Sequence, residues 1–307
     1  MWIIPLLLGW VVLDLFMCAF IAYRMTFYTN RKKHYKLGSL QDPTDDEIKI
    51  RAHELVVDFM KREYEEVFIE SEDGLRLAAN YYHTRDGAPI QICFNGYRSR
   101  VERDFSGGGK EAILAGCNLL LVHQRAHGKS EGRTISFGVK ERGDVLLWVE
   151  YAKRRFGEGV KIILAGVSMG AMTVLSASDL DFGGNVVGIL ADCPCSTAKR
   201  IIKKVISEMG VSPTLFYPLV RLGGLLFGGF DPNKADAPSH VKNTKIPILL
   251  IHGEGDKFVP ISMSEEIAEA SELVSFHSFK DATHGKSYIY DTEKYRALLT
   301  EFYDKIL

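Results

Sequence analysis

The sequence predicts an α/β fold: a mostly parallel, eight-stranded sheet with helices on both faces, a helical cap and one N-terminal transmembrane helix. Eight strand-like runs alternate with helical patterns, and the middle runs are continuously apolar, as expected for strands covered on both faces. One long apolar stretch stands at the N-terminus. The 307 residues, of which 46% are hydrophobic and 25% charged, suffice for one large core.

The N-terminal apolar stretch runs from Trp2 to Tyr23 and is long enough, at about 1.5 Å per residue, to cross a hydrocarbon core of roughly 30 Å. Its one charged residue, Asp14, costs about 2.5–3.5 kcal/mol near the bilayer centre, whereas a dozen large apolar residues gain about 4–7 kcal/mol. We therefore expect residues 1–23 to form a transmembrane anchor. Asp14 could contact a partner helix, since ionisable groups in membranes usually face polar groups.

The residues after this stretch predict its orientation. By the positive-inside tendency, basic residues on this side place the body of the protein in the cytoplasm. They are Arg24, Arg31, Lys32, Lys33 and Lys36. A cleaved signal peptide is the alternative, but no basic region precedes the stretch and no small-residue cleavage site ends it. We expect residues 24–64 to form a basic juxtamembrane segment with a connector or helix, and residues 65–307 to form one α/β domain.

The strand-like runs are short and bounded by turn residues. They cover residues 65–71, 75–82, 89–95, 118–124, 160–166, 186–192, 246–253 and 273–279. Only three residues separate the first two runs, which predicts an antiparallel hairpin at one edge of the sheet. Helical spacing is clearest at 145–152 and 295–306. In such sheets functional groups gather at the carboxyl ends of the strands.

The fifth strand-like run ends in Gly166-Val167-Ser168-Met169-Gly170, directly before a helical pattern. Glycines at these positions relieve crowding in a strained strand-to-helix turn, which lifts the Ser168 hydroxyl clear of the sheet. The amide of Met169 would lie at a helix N-terminus, where partial positive charge favours an oxyanion. The motif predicts that Ser168 is a nucleophile.

A serine nucleophile needs an imidazole to take its proton and a carboxylate to orient that imidazole. Asp256 follows the seventh strand-like run and His284 follows the eighth, and the order Ser168, Asp256, His284 is the one this motif requires. Other residues could fill the same roles. The alternative carboxylates are Glu254 and Asp192, and the alternative bases are His277, His252, His123 and His127.

The second oxyanion donor should come from the turn after the third run, Phe94-Asn95-Gly96-Tyr97-Arg98. The glycine loosens the backbone there. We predict that the oxyanion hole is formed by the backbone amides of Tyr97 and Met169.

These motifs together resemble the α/β-hydrolase superfamily, and within it the branch that contains the serine aminopeptidase-like and monoacylglycerol-lipase-like hydrolases. The resemblance covers about residues 65–307. It rests on the segments GVSMG, HGEGDKFVP, DATHG and QRAHGKSEG. It implies Ser168, Asp256 and His284 as the triad and Tyr97 and Met169 as the oxyanion hole. The sequence departs from the family pattern at Asn95, where a histidine is usual, and at His123 and Ala126, which we interpret as structural variations.

The run between the sixth and seventh strands, residues 195–239, is long enough to be a helical cap. Its second half is apolar and Gly-rich, which suits a wall for an acyl chain or a surface that touches a bilayer. We therefore predict a membrane-anchored serine hydrolase that cleaves a carboxylic ester or thioester of a hydrophobic acyl group. The alternatives are a peptidase or acyltransferase using the same triad, and a non-catalytic binding protein on the same scaffold.

Other classes of site are not predicted. The net charge of −1 gives no field for nucleic acid, and no metal or cofactor motif is present. Cys193 and Cys195 form a C-x-C pair that lacks the spacing of thioredoxin-like or zinc motifs, and five cysteines, an odd number, favour a reducing compartment. The glycines at 107–109 are interpreted as a surface turn, because the spacing and the Ser/Thr of a phosphate loop are missing.

Overall fold

A computed structural model describes residues 3–30 and 46–307, and in it eight strands form one sheet. The strand order is β1-β2-β4-β3-β5-β6-β7-β8, with β1 and β2 antiparallel to their neighbours and the other pairs parallel. In chain order the strands are Glu65–Glu70 (β1), Arg76–Tyr82 (β2), Ile90–Phe94 (β3), Asn118–His123 (β4), Ile162–Val167 (β5), Val186–Asp192 (β6), Ile248–Gly253 (β7) and Val274–Phe279 (β8).

The predicted sheet is confirmed. Each strand lies inside its predicted run or departs from it by one or two residues at an end, and the predicted hairpin joins β1 to β2 at one edge. The central strands β3 and β4 are buried along their whole length, as continuous apolar runs predict.

Helices flank the sheet. They are Ile3–Thr26 (α1), Asp46–Phe59 (α2), Val101–Asp104 (α3), Gly108–Leu114 (α4), Glu141–Phe156 (α5), Met169–Ser176 (α6), Ala198–Glu208 (α7), Pro213–Gly223 (α8), Ala237–Val241 (α9), Ser262–Ala268 (α10), Ser287–Tyr290 (α11) and Thr292–Ile306 (α12). A π turn, Gly224–Gly228, continues α8, and a short 3-10 turn follows at Pro232–Lys234.

The core has two layers, one on each face of the sheet. Alternate residues of β3 divide between them: Ile92 packs into the layer that holds Trp148 of α5, and Cys93 packs into the layer that holds Phe302 of α12. The loops that follow the parallel strands begin at the carboxyl edge of the sheet.

The C-terminal part of α1 is packed into the body of the protein. Ala19 and Phe27 are fully buried, and the Tyr23 hydroxyl lies 2.7 Å from the hydroxyl of Thr134. A short bridge pairs Tyr28 with Thr134 beyond the helix end. Trp2, residues 31–36 and most of the predicted polar connector lie outside the described residues.

One local expectation is wrong. The glycines at 107–109 do not form a surface turn: Gly108 and Gly109 begin α4, and Gly109 is buried. A side chain at Gly107 would place its Cβ 2.3 Å from the Tyr288 ring, so the segment is glycine-rich because other elements pack closely on it.

Candidate active site

The turn from β5 into α6 has the strained geometry that the sequence motif predicts. Ser168 has φ +56°, a left-handed conformation that is rare outside glycine. The glycine at 170 is required by space, because a Cβ there would lie 1.9 Å from the carbonyl oxygen of Phe94. The turn therefore raises Ser168 above the carboxyl edge while its own backbone amide bonds to the Asp192 carbonyl at 2.8 Å.

Three side chains that are distant in the sequence meet beside this turn. The Nε2 atom of His284 lies 3.0 Å from the Ser168 hydroxyl, and its Nδ1 atom lies 2.6 Å from a carboxylate oxygen of Asp256. Asp256 is in the loop after β7 and His284 in the loop after β8, so each side chain comes from the carboxyl end of a strand. The arrangement allows a proton to pass from the hydroxyl to the imidazole while the carboxylate orients the ring.

The Asp256 carboxylate is buried and heavily hydrogen-bonded. Burial alone would raise its pKa, but contacts from His252 and His284 and the backbone amide of Val259 at 2.8 Å hold the pKa well below its usual range. Asp256 is therefore ionised at neutral pH, as the orienting group of a serine nucleophile has to be.

The alternative carboxylates are engaged elsewhere. Glu254 accepts a hydrogen bond from the exposed Ser278 hydroxyl. Asp192 is buried, its Oδ2 accepts a bond from Tyr295 at 3.3 Å, and burial raises its pKa to about 6. The imidazole of His284 is bonded to neither of them.

The alternative histidines are also placed apart from the Ser168 hydroxyl. His252 bonds to Ser264 and to the Val259 carbonyl, and its Nε2 lies 3.3 Å from the Asp256 carboxylate, where it supports the charge. His127 accepts a hydrogen bond from the Arg98 amide at 2.9 Å. His277 bonds to Ser275 on β8, and the buried His123 has an Nε2 atom without a hydrogen-bond partner among the described residues.

The two predicted oxyanion donors belong to segments close to Ser168. Met169 is the first residue of α6, and Tyr97 lies in the turn after β3 that lines the same cavity. Within the described residues, neither amide donates a hydrogen bond. Both are available as donors to an oxyanion, the role that the sequence predicts for them.

The turn that carries Tyr97 is held by a carboxylate of α3 that could not be identified from the sequence. Asp104 accepts a hydrogen bond from the Gly96 amide at 2.8 Å and another from the Ser99 hydroxyl at 2.6 Å. Asn95, at the position where the family has histidine, donates to the Gly96 carbonyl at 2.8 Å. The departure at Asn95 thus supports the same turn by its own hydrogen bond.

The same turn also forms hydrogen bonds with the end of α1. The Tyr97 hydroxyl donates to the Thr26 carbonyl at 2.8 Å, and the Arg98 guanidinium donates to the carbonyls of Met25 at 2.9 Å and Tyr28 at 2.8 Å. Helix C-terminal carbonyls carry partial negative charge, which favours a guanidinium there. The end of the apolar helix therefore helps to position the predicted oxyanion turn.

A cavity of about 550 Å³ opens at Ser168 and His284. Its apolar wall includes Val56 of α2, Phe258 and Ile289, and α2 also contributes Lys49 and His53. No lining residue comes from 195–239. Residues of α2 line the cavity, whereas the apolar part of 195–239, expected to be a wall for an acyl chain or a surface that touches a bilayer, packs against α1.

Three potential metal ligands lie close together at the triad. Among the described residues, ligand atoms of Cys193, Asp256 and His284 lie within 4.8 Å of one another. Asp256 and His284 are hydrogen-bonded to each other, and burial raises the pKa of the Cys193 thiol well above its usual value. Cys193 and Cys195 are both free and buried.

Comparison with known proteins agrees with this fold. No protein-family model matches the chain. Among curated proteins, it is 25% identical over 193 residues to the uncharacterized protein YqkD of Bacillus subtilis, covering 62% of this chain and 63% of that protein. It is 24% identical over 202 residues to the human protein ABHD12B, covering 60% of this chain and 50% of that protein. The matches therefore span less than two thirds of these relatives.

Solved structures are similar over more of the chain. The esterase Pf2001 of Pyrococcus furiosus has a TM-score of 0.64 at 24% identity and covers 81% of this chain and 93% of its own. The α/β hydrolase GrgF from Penicillium sp. has a TM-score of 0.63 at 17% identity and covers 80% of this chain and 99% of its own. The resemblance to one branch of the superfamily stays a prediction. The order of the strands, the turn at Ser168 and these neighbours together show that the chain has the α/β-hydrolase fold.

Proposed function

We propose that this protein is a membrane-anchored serine hydrolase that cleaves a carboxylic ester or thioester with a hydrophobic acyl group. The observation that supports this most directly is the pair of hydrogen bonds from His284, at 3.0 Å to the Ser168 hydroxyl and at 2.6 Å to Asp256. These bonds activate a hydroxyl that is otherwise a poor nucleophile at neutral pH.

The first half of the proposed reaction acylates the serine. The Ser168 oxygen attacks the substrate carbonyl carbon while its proton passes to Nε2 of His284. The carbonyl oxygen becomes an oxyanion that accepts hydrogen bonds from the amides of Tyr97 and Met169. When the tetrahedral intermediate collapses, the bond to the leaving oxygen or sulfur breaks, and the leaving group takes the proton from His284.

The second half releases the acid. A water molecule gives a proton to Nε2 of His284 as its oxygen attacks the acyl carbon, and the same two amides stabilise the new oxyanion. Collapse breaks the bond to the Ser168 oxygen, which recovers the proton, so the free carboxylic acid leaves and the enzyme is regenerated. The ionised Asp256 stabilises the imidazolium in both halves.

The cavity supports the choice of an acyl substrate. Val56, Phe258 and Ile289 give it apolar surface beside the nucleophile, and the Phe258 ring packs edge-on to the His284 ring at 5.1 Å. Contacts of this kind exclude water and favour an alkyl or aryl acyl group.

Membrane anchoring through α1 is supported by composition and exposure. Residues Leu8–Thr26 have a mean hydropathy of 1.6, and large apolar side chains along the helix face outward, among them Val12 at 66% exposure. A cleaved signal sequence would also be apolar, but the burial of Ala19 and Phe27 in the body favours a helix that is retained. The basic residues after the helix favour a cytoplasmic catalytic domain, so a reporter fused at Leu307 should behave as cytoplasmic, and its export would reverse the orientation.

Labelling with a fluorophosphonate tests the nucleophile. We expect the wild-type protein to be labelled, Ser168→Ala to lose the label, and Ser106→Ala, which changes another serine of the same cavity, to keep it. Labelling that persists in Ser168→Ala would refute the proposal.

Substrate class is tested next with esters of increasing chain length beside aminoacyl amides. Ester turnover is expected. Faster turnover of the amides would favour a peptidase, and transfer to an added alcohol in preference to water would favour an acyltransferase. Inactivity towards both sets, with no labelling, would favour a non-catalytic binding protein.

A further inference from the structure

The end of α8 and the π turn lie along α1 and run in the opposite direction. A Cβ at Gly223 would lie 2.4 Å from the Ala19 carbonyl, so the two helices approach closely there. Further along, the Phe227 ring contacts the rings of Phe20 at 5.1 Å and Phe16 at 5.0 Å. The Phe227 side chain therefore lies further towards the N-terminus of α1 than Gly223 does.

Both ends of the π turn stay against the body of the protein. A Cβ at Gly224 would lie 3.4 Å from the Phe27 ring, and the Gly228 carbonyl accepts a hydrogen bond from Lys140 at 3.0 Å. Phe230, just beyond the turn, packs against Phe27 with ring centroids 5.0 Å apart. The middle of the turn, which carries Phe227, is the part that lies beside the apolar stretch of α1.

The candidate membrane span decides where Phe227 lies relative to a bilayer. That span is Leu8–Thr26, and it includes Phe16 and Phe20. If this part of α1 crosses the hydrocarbon core, the Phe227 ring, which contacts both of these side chains, also lies within the hydrocarbon.

The exposed surface of the π turn is suited to that environment. Leu225 is 45% exposed and Leu226 is 53% exposed in the described structure. The π turn contains no charged residue. The nearby Arg221 is paired with Asp231 and has a side chain long enough to keep its charge at the headgroup level.

We propose that the end of α8 and the π turn insert into the acyl-chain region of the lipid leaflet nearest the catalytic domain, beside α1. This inference rests on the membrane anchoring in the proposed function. Lipid acyl chains would then cover the exposed side chains. The predicted cap would form a second contact with the membrane, in addition to α1. The active-site domain is then held against the bilayer by two elements, which restrict how it can turn on the surface.

Quenching by brominated lipids tests the insertion in the full-length protein. The background variant is Cys18→Ala, because Cys18 is the exposed one among the cysteines and the other four are buried. Single cysteines are introduced as Leu226→Cys in the π turn, Val12→Cys in α1 and Leu114→Cys in α4, and each is labelled with an environment-sensitive fluorophore. All three positions are exposed, at 53%, 66% and 66%, so the variants should fold.

The labelled proteins are reconstituted in phosphatidylcholine vesicles with ordinary or dibrominated acyl chains. We expect quenching of about twofold or more at positions 12 and 226 and none at 114. Quenching at 12 without quenching at 226 would overturn the insertion and leave the anchor intact. Shielding of position 226 from water without quenching, as a second copy or another protein would produce, would also overturn it. Absence of quenching at both positions would overturn the anchor and the insertion together, whereas fluorophosphonate labelling tests the hydrolase separately.

Discussion

The hydrogen bonds between Arg98 and the end of α1 lead to a quantitative prediction for catalysis. Arg98→Met removes both bonds, to the Met25 and Tyr28 carbonyls, while keeping the length of the side chain. A hydrogen bond to a charged group is worth about 1.5–3 kcal/mol, but the one to Met25 is exposed and therefore worth less. We expect the two hydrogen bonds together to stabilise the position of the turn by about 2 kcal/mol.

If the whole of this free energy is lost from transition-state stabilisation because the Tyr97 amide is misplaced, kcat for a short ester should fall about 30-fold. Removing an oxyanion donor altogether costs about 10²–10³-fold, so the expected effect lies below that limit. KM should change little, because the amide acts mainly in the transition state. Arg98→Lys, which restores one donor, should recover part of kcat.

The assay is steady-state hydrolysis of a short p-nitrophenyl ester by the full-length protein in detergent, with thermal unfolding measured in parallel. Arg133→Met is the matched control, because Arg133 donates to the Tyr28 hydroxyl at 2.9 Å and does not touch the oxyanion turn. Equal losses of kcat in the two variants, or full kcat in Arg98→Met, would show that the α1 contact does not position the amide.

Three further predictions concern the site. Asp256→Asn should lower kcat by about 10⁴-fold with little change in KM, since an amide leaves the imidazole in the wrong tautomer; a loss below tenfold would contradict the assigned role. Burial raises the pKa of Asp192 to about 6, so wild-type stability is full below about pH 4 and falls as the pH rises through about 6. Chemical denaturation should therefore find Asp192→Asn more stable than wild type by about 1–3 kcal/mol at pH 8 and not at pH 4; equal gains at both would refute the burial argument. Gly170→Ala should abolish fluorophosphonate labelling, because its Cβ would lie 1.9 Å from the Phe94 carbonyl, whereas Gly159→Ala, in open space, should label normally.

Most of the sheet could be predicted because its signal is local. The central strands are apolar on both faces and end in turn residues, so runs such as 118–124 differ from the observed Asn118–His123 by a single residue. The meeting of Ser168 and His284 could be expected as well, because a motif placed the serine and because parallel strands end at a common edge.

The contacts that depend on tertiary packing could not be predicted. Nothing in the spacing of α2 indicates that Lys49 and His53 line the cavity, and Asp104 has no local signal for its bond to the Gly96 amide. The bond from Arg98 to Met25 joins residues 73 positions apart. The apolar character of 195–239 was visible, but composition alone does not distinguish a helix that covers a substrate from one that covers α1.

The attachment of the oxyanion turn to α1 has a consequence for how the protein can be prepared. Deleting an apolar leader is the usual route to a soluble sample, but here a deletion through residue 30 would also remove the backbone oxygens of Met25, Thr26 and Tyr28 that Tyr97 and Arg98 bind. It would uncover the hydrophobic pocket that receives Phe27. An inactive shortened sample would therefore report the loss of these partners, and purification with the helix retained in detergent or nanodiscs is the preparation in which turnover should be measured.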